Sequence, residues 1–508
     1  MFVLINPKSD DDRNNTYPLG LAYIAAGLEP HGKVRIFDLH YGHTLNELME
    51  YLFSENIRFI GLTLCTSIQG MVDVTRIARL IKELNPSVIV GIGGPHATFQ
   101  GHEMLQSHIE FDVMFIGAGE VAIRQLGANL ARGEDYWYKD VKNILYRDTS
   151  GNVVASVSAE HDMSCIPLPA RHLLPSAKEY SAKNNQDLPV MCVDSSRGCH
   201  GSCTFCTFRL SQHKPWQPRD LGYFKADILS TISRENVDLM ELFLTDADFF
   251  ASPKRADDML NIIMDIPQIK GFPVTMRADS IVRSQHLLSK LFKAGCNFVE
   301  VGIESNADSQ LKRFNKRTSP ETNLQALDIL TNHKKSFDFG IQLDIIFFEP
   351  YVTMREIRAT NELVQKYSYG NAKNESVFFH KMRLFSGTEF RRQVLKDRLS
   401  VDSYMDAPHW EFENEDVARF YSFVVLFKNS LYRDKKELQK RLSGMLRSKK
   451  IDLRLMKDCR YLSTMCYDYF NELLNSQNSE DYKFIYSYSK DYLKELSMRY
   501  DFKLSSSI

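Results

Sequence analysis

Three of the nine cysteines fall in one short run, Ser196-Arg197-Gly198-Cys199-His200-Gly201-Ser202-Cys203-Thr204-Phe205-Cys206. The C-x3-C-x2-C spacing gathers three thiolates on a single glycine-flanked loop. Thiolates are soft ligands that select iron-sulfur clusters, zinc or copper(I). Three of them suit a cubane cluster in which one iron keeps an open position for a substrate or cofactor. With His200 or His213 as fourth ligand, the same thiols could instead close a structural zinc site. Spacing alone leaves both readings open.

Further polar residues recur at the ends of predicted strands. They are Asp246 and Asp248 in Leu244-Thr245-Asp246-Ala247-Asp248, Arg277 before Ala278-Asp279, Glu304 and Ser305 after Gly302-Ile303, and Asp344 and Glu349. A carboxylate there can accept from hydroxyls or an ammonium, and an arginine can pair a carboxylate through two parallel bonds. For Asp246, capping the following helix is the alternative. A second set of loops is rich in glycine: Thr16-Tyr17-Pro18-Leu19-Gly20, Cys65-Thr66-Ser67, Gly93-Gly94-Pro95-His96 and Gly117-Ala118-Gly119-Glu120. Glycine lets a backbone approach a ligand closely, and helix N-termini favour anionic groups. Gly91-Ile92-Gly93-Gly94 does not follow the G-x-G-x-x-G fingerprint, so ordinary tight βα connections remain an alternative.

The elements that must position these residues alternate. Phe2 to Ile5, Val34 to Phe37, Phe59 to Leu64, Val88 to Ile92 and Val113 to Ile116 are short apolar runs, each followed by a helical stretch. This predicts a doubly wound, Rossmann-like α/β domain over 1–134, with ligands outside the carboxyl ends of its strands. Residues 135–187 read as a linker with a hairpin, Asn143 to Arg147 and Val153 to Val157. Over 188–395 the rhythm resumes. Leu188 to Val193, Leu242 to Thr245, Phe272 to Met276, Phe298 to Ile303, Phe339 to Phe347 and Val377 to Leu384 make a partial (β/α)6 barrel with its site at the strand C-termini. Residues 396–508 read as a helical C-terminal domain covering the barrel mouth.

The cysteine run, with Phe205 just before its last thiol, resembles the signature of the radical S-adenosylmethionine (radical SAM) superfamily. The resemblance implies a [4Fe-4S] cluster on Cys199, Cys203 and Cys206, S-adenosylmethionine chelating the fourth iron, and Phe205 near the adenine. Ala294 to Ser305 resembles the fourth-strand motif of the cobalamin-associated members, which places Glu304 and Ser305 beside S-adenosylmethionine. It also implies an acidic group near the second strand, Asp246 or Asp248, for the amine, and it makes Arg277 a partner for the carboxylate. The glycine loops, with Tyr17-Pro18-Leu19, Thr66, Ser67, Gly93, Gly94, Pro95, His96, Gly117, Gly119 and Glu120, resemble the cobalamin-binding domain that precedes many such barrels. The D-x-H-x-x-G element is missing. Asp38-Leu39-His40-Tyr41-Gly42 is one residue short, which implies a corrin without a protein histidine on cobalt. Phe348-Glu349-Pro350-Tyr351-Val352-Thr353 departs from the usual Gly-x-Pro-Gly-x-Thr turn and adds the bulk of Tyr351 at the barrel mouth.

The resemblance implies reductive cleavage of S-adenosylmethionine for hydrogen abstraction, with methyl transfer from methylcobalamin to an unactivated carbon. Within the family the alternative is a rearrangement, ring contraction or cyclisation, and outside it a zinc-stabilised binding protein. A flavodoxin- or ferredoxin-type electron donor is the implied partner.

Composition narrows the setting. The chain has 508 residues, 44% of them hydrophobic, enough for about two to four globular domains. A formal charge of -1 gives no bulk attraction to nucleic acid or membrane. No apolar run approaches the roughly 18 residues of a spanning helix, the first residues lack a basic leader, and nine scattered cysteines do not form a secreted disulfide pattern. A reducing cytoplasm is the expected setting. Between 433 and 460 there are eleven Lys or Arg against four Asp or Glu. This run reads either as a solvated helix face or as a contact for an anionic or carrier-bound small-molecule or peptide substrate.

Overall fold

The computed structural model describes residues 1–8, 17–64, 68–134, 136–160, 163–184, 186–208, 216–368, 370–371, 374–400, 410–448, 453–476 and 479–504. Five parallel strands form where the apolar runs predict them: β1 (Phe2–Asn6), β2 (Val34–Asp38), β3 (Phe59–Thr63), β4 (Ile89–Gly93) and β5 (Val113–Phe115). They are buried on both faces, which explains their nearly continuous hydrophobicity. Helices Leu19–Leu28 and Glu120–Arg132 pack on one face through Leu4, Phe59 and Phe115. Helices Ile68–Leu84 and Pro95–Ser107 cover the other through Ile60, Val90 and Ile92.

The strand order is β2-β1-β3-β4-β5, continued by β6 (Ile144–Arg147) and β7 (Val153–Ala155). Both added strands pair antiparallel. The segment expected to be a linker therefore completes the edge of the first sheet. It then runs back between the two sheets. The Ala170 N–H donates to Ala22 O at 2.9 Å, the Arg171 guanidinium forks onto Asp227 at 2.9 and 2.8 Å, and Tyr180 donates to the Asp38 carboxylate.

The second sheet is parallel and sequential: β8 (Val190–Val193), then, after the short antiparallel pair β9 (Ser196–Gly198) and β10 (Trp216–Pro218), strands β11 (Met240–Leu244), β12 (Ile269–Arg277), β13 (Cys296–Glu304) and β14 (Gly340–Ile345). This sheet has five strands, and the predicted sixth is reduced to an isolated bridge. A parallel bridge joins Phe348 to Lys381, but Glu375–Phe378 is a single 3-10 turn. Phe378 explains this, since its ring is drawn into the helical domain, 5.0 Å from Tyr467 and 4.6 Å from Phe470.

Helices Glu415–Phe427, Arg433–Ser448, Leu453–Asn475 and Ser479–Arg499 form that domain and share one apolar core with the barrel. They dock at the exit of β14, through Phe347 and Phe348, and on helix Met354–Ser368. The basic run is not uniformly solvated, because Lys435 is fully buried in an ion pair with Glu375. Among the described residues no helix is long and apolar enough to cross a membrane.

Candidate active site

The cysteine loop is pinned at both ends. At its start the buried Asp246, just past β11, accepts from the Ser195 N–H at 3.2 Å, from Ser195 Oγ at 2.7 Å and from Ser196 Oγ. The pairing of β9 with β10 then sets Trp216 opposite Gly198, with the His200 ring 4.9 Å from the indole. Farther along, the Thr204 N–H donates to Phe314 O at 2.9 Å and its Oγ1 to Arg313 O at 3.0 Å, while its carbonyl accepts from the Phe390 N–H at 3.0 Å. Asn315 Nδ2 donates to Ser202 O at 3.0 Å. Phe205 packs edge-on against Phe314, with ring centroids 5.0 Å apart.

All three thiols on this braced loop are partly accessible. The Gly201 N–H donates to Cys199 Sγ at 3.3 Å, and Arg277 Nη1 lies 3.7 Å from Cys203 Sγ. Burial pushes the Cys199 thiol up and the Cys206 thiol to about 12, so each keeps its proton until a metal displaces it. Among the described residues no three His, Cys, Asp or Glu side chains converge as the ligands of one metal ion do. In a cluster each thiol would bind a separate iron. His213 lies outside the described residues.

The strand-end residues divide. Asp246 is engaged by the two serines and braces the start of the loop. Asp248 accepts from Ser280 Oγ at 2.6 Å and from the Arg277 N–H at 3.4 Å. Arg277 reaches the cysteine loop, but Asp279 takes its Nε at 2.9 Å and the Lys316 carbonyl its Nη2 at 2.6 Å. Glu304 has a positive φ of 63° and accepts from the buried Lys316 Nζ at 2.8 Å. Ser305 is fully buried, its Oγ 3.1 Å from Thr360 Oγ1 on the neighbouring helix, and does not reach the interior where it was expected. The Tyr351 hydroxyl donates to Asp397 at 2.7 Å and its ring packs on Phe390. On β14, opposite Gly302 of β13, desolvation and the charges of Glu300 and Glu304 hold the Asp344 carboxyl well above the usual carboxylate range.

A cavity of about 430 Å³ opens at the carboxyl ends of the first sheet, beside the cysteine loop. Of the glycine-loop residues, Leu19, Gly93, Gly94, Pro95, Gly117, Gly119 and Glu120 line it. Tyr17, Pro18 and His96 are not among its lining residues. Tyr17 is buried against Arg171 and Tyr180, and His96 lies inside its helix, 2% exposed. Thr66 and Ser67 fall outside the described residues. Gly94 has φ 103°, and a Cβ there would sit 2.7 Å from Leu64 O, so only glycine brings this turn to the cavity. Asp38 accepts from the His40 and Tyr41 N–H groups at 3.1 and 3.0 Å, a turn outside the cavity lining. Sequence reasoning missed the far wall: Asp194, Ser196, Arg197, Gly198, Phe208 and Thr245 belong to the second sheet and its cysteine loop.

The donor sets thus fit two groups, a cluster on the thiols and a broad planar ligand above the glycines. A B12 binding domain model matches residues 12–127 and a Radical SAM superfamily model residues 193–364. The chain is a B12-binding radical SAM enzyme. Its radical SAM domain takes a [4Fe-4S] cluster and S-adenosylmethionine, and its B12-binding domain takes cobalamin. The zinc-stabilised binding protein is thereby set aside. The enzyme is similar to an uncharacterized methyltransferase of Pyrococcus horikoshii, 28% identical over 69% of this chain and 73% of that one. It also resembles the anaerobic magnesium-protoporphyrin IX monomethyl ester cyclase of Synechocystis, 24% identical over 79% and 77%. In fold it resembles the cobalamin-dependent S-adenosylmethionine radical enzyme OxsB, solved with aqua-cobalamin and S-adenosylmethionine, with a TM-score of 0.75, 18% identity, and coverage of 99% of this chain and 75% of that one.

Proposed function

We propose that this radical SAM enzyme methylates an unactivated carbon of a small-molecule or peptide substrate. The carrying observation is that one cavity is walled both by the glycine loops of the B12-binding domain and by the loop that presents Cys199, Cys203 and Cys206. When bound, the cluster supplies the electron that cleaves S-adenosylmethionine to methionine and a hydrogen-abstracting 5′-deoxyadenosyl radical, and cobalamin supplies the methyl group.

The chain's own residues set the geometry. The three cysteines hold three irons. Phe205 lies beside the place of the adenine. Leu19, Gly93, Gly94, Pro95, Gly117 and Gly119 would form an apolar cradle for the corrin, and Phe208, just after the cysteine loop, lines the same cavity. A reducing cytoplasm and an acidic electron carrier of the flavodoxin or ferredoxin type suit this chemistry.

The similarity to the cyclase supports a second reading, a radical cyclisation or rearrangement without methyl transfer. Turnover of the anaerobically reconstituted enzyme separates the two. Methyl transfer yields 5′-deoxyadenosine together with S-adenosylhomocysteine and a product heavier by one CH2. Formation of 5′-deoxyadenosine alone, with loss of hydrogen or no mass change, establishes the second reading.

A further inference from the structure

Arg277 brings a permanent positive charge to the thiols of the cysteine loop, and its side chain is anchored at two of its three nitrogens. Its Nε donates to Asp279 Oδ1 at 2.9 Å and its Nη2 to the Lys316 carbonyl at 2.6 Å. Its backbone N–H is held by Asp248. With Nε and Nη2 anchored, the rigid planar guanidinium carries its Nη1 toward Cys203 Sγ, 3.7 Å away. The loop makes room for it, since a Cβ on Gly201 would lie 2.8 Å from Arg277 Nη1 and 3.4 Å from Cys199 Sγ. Lys316, 4% exposed, follows on the same side, its Nζ tied to Glu304.

We propose that Arg277 is a positioning residue for the iron-sulfur cluster, donating to the Cys203 sulfur and raising the cluster's reduction potential, and that it is not the clamp for the carboxylate of S-adenosylmethionine. A hydrogen bond to a ligating sulfur and a nearby cation both favour the more electron-rich state of a cluster. A bidentate clamp needs two parallel N–H groups free to meet the carboxylate. Here the edge formed by Nε and Nη2 is taken by Asp279 and the Lys316 carbonyl, and Nη1 faces sulfur. The inference rests on the cluster assignment, which iron and sulfide counting on the wild-type protein checks separately.

The experiment is an EPR-monitored redox titration of the full-length, anaerobically reconstituted protein without S-adenosylmethionine, run beside calorimetric binding of S-adenosylmethionine. Arg277→Gln should keep about four irons and bind S-adenosylmethionine as the wild type does. Its midpoint should fall by about 59 mV, equivalent to a roughly tenfold less favourable one-electron reduction. Arg277→Lys, which keeps the charge but not the fork, should fall between the two. Gly201→Ala, with Arg277 intact but pushed off the loop, should shift the same way, and it decides the matter if Arg277→Gln does not retain iron. An unchanged midpoint in a fully loaded variant, or a lost affinity for S-adenosylmethionine without a potential shift, overturns the proposal.

Discussion

Thiols and carboxyls in this enzyme are sorted by what surrounds them, and substitution should expose the sorting. Cys192 and Cys296 are buried among apolar side chains, with Cys192 pushed up to about 11 and Cys296 to about 12, while Cys199, Cys203 and Cys206 share the braced loop. Replacing any of the latter three by Ala should remove most of the iron and the visible absorption of anaerobic preparations, whereas Cys192→Ala should retain both. Equal iron in all of these variants would refute the assignment. Asp344 offers a pH test. Burial first, then Glu300 and Glu304, raise it above its ordinary 3.8 in the fold. A raised acid stabilises the fold fully below the unfolded value and loses that contribution as pH rises toward the folded one, about 1.4 kcal/mol per unit between the two. Asp344→Asn stays neutral, so its melting temperature should gain on the wild type as pH rises from acid. Parallel curves would exclude this role.

The strands and the cysteine spacing were legible because both are local patterns, whereas the errors arise where elements meet. Strand-end position alone does not separate Glu304, which meets Lys316, from Ser305, which meets Thr360. The register shift between Gly302 and Glu304 turns the chain so that Ser305 faces helix Met354–Ser368. Lys316 carried no signal, since its meaning comes from Glu304, which a helix separates from it. The glycine loops were legible as a set, but whether each lines the cavity depends on helix orientation, and Tyr17 turned toward Arg171. One glycine isolates the cradle's function from its folding. Gly20 lines the cavity, and a Cβ there meets nothing within 4 Å, so Gly20→Leu should fold with an unchanged melting temperature while projecting into the corrin space. Cobalt retained after desalting should fall to near background while iron is unaffected. Full cobalt retention would mean that the corrin lies elsewhere.

At the scale of the whole molecule, the cavity is walled by both domains, and a chain of alternating charge joins them. Glu120 on the B12-binding domain accepts from Arg197 Nη1 at 2.6 Å, and Arg197 Nε donates to Asp194 at 3.0 Å. Arg219 in turn donates to Asp194 at 3.2 Å and to the Tyr23 hydroxyl at 2.6 Å. Two cations thus balance two anions. Arg197 lies two residues before Cys199, so the same side chain joins the corrin wall to the cluster loop. Removing one partner of a buried pair typically costs about 3–5 kcal/mol because the other charge is stranded. Arg197→Met should therefore destabilise by that order and lower cobalt and iron retention together. Glu120→Gln, which keeps a polar contact and leaves Arg197 on Asp194, should cost less. Burial opposes the charge on Asp194, yet Arg197, Tyr23 and Arg219 outweigh it and hold its carboxyl below the ordinary 3.8. Its share of this charge network is therefore complete above that value and is lost only as pH falls through the folded one, so the wild-type network should persist at neutral pH. A double-mutant cycle on Glu120 and Arg197, read by thermal unfolding and by cobalt retained, isolates the pair itself. A large coupling in both readouts makes the pair the device that holds the two cofactor sites at one cavity, and additive losses would reduce it to two unrelated surface contacts.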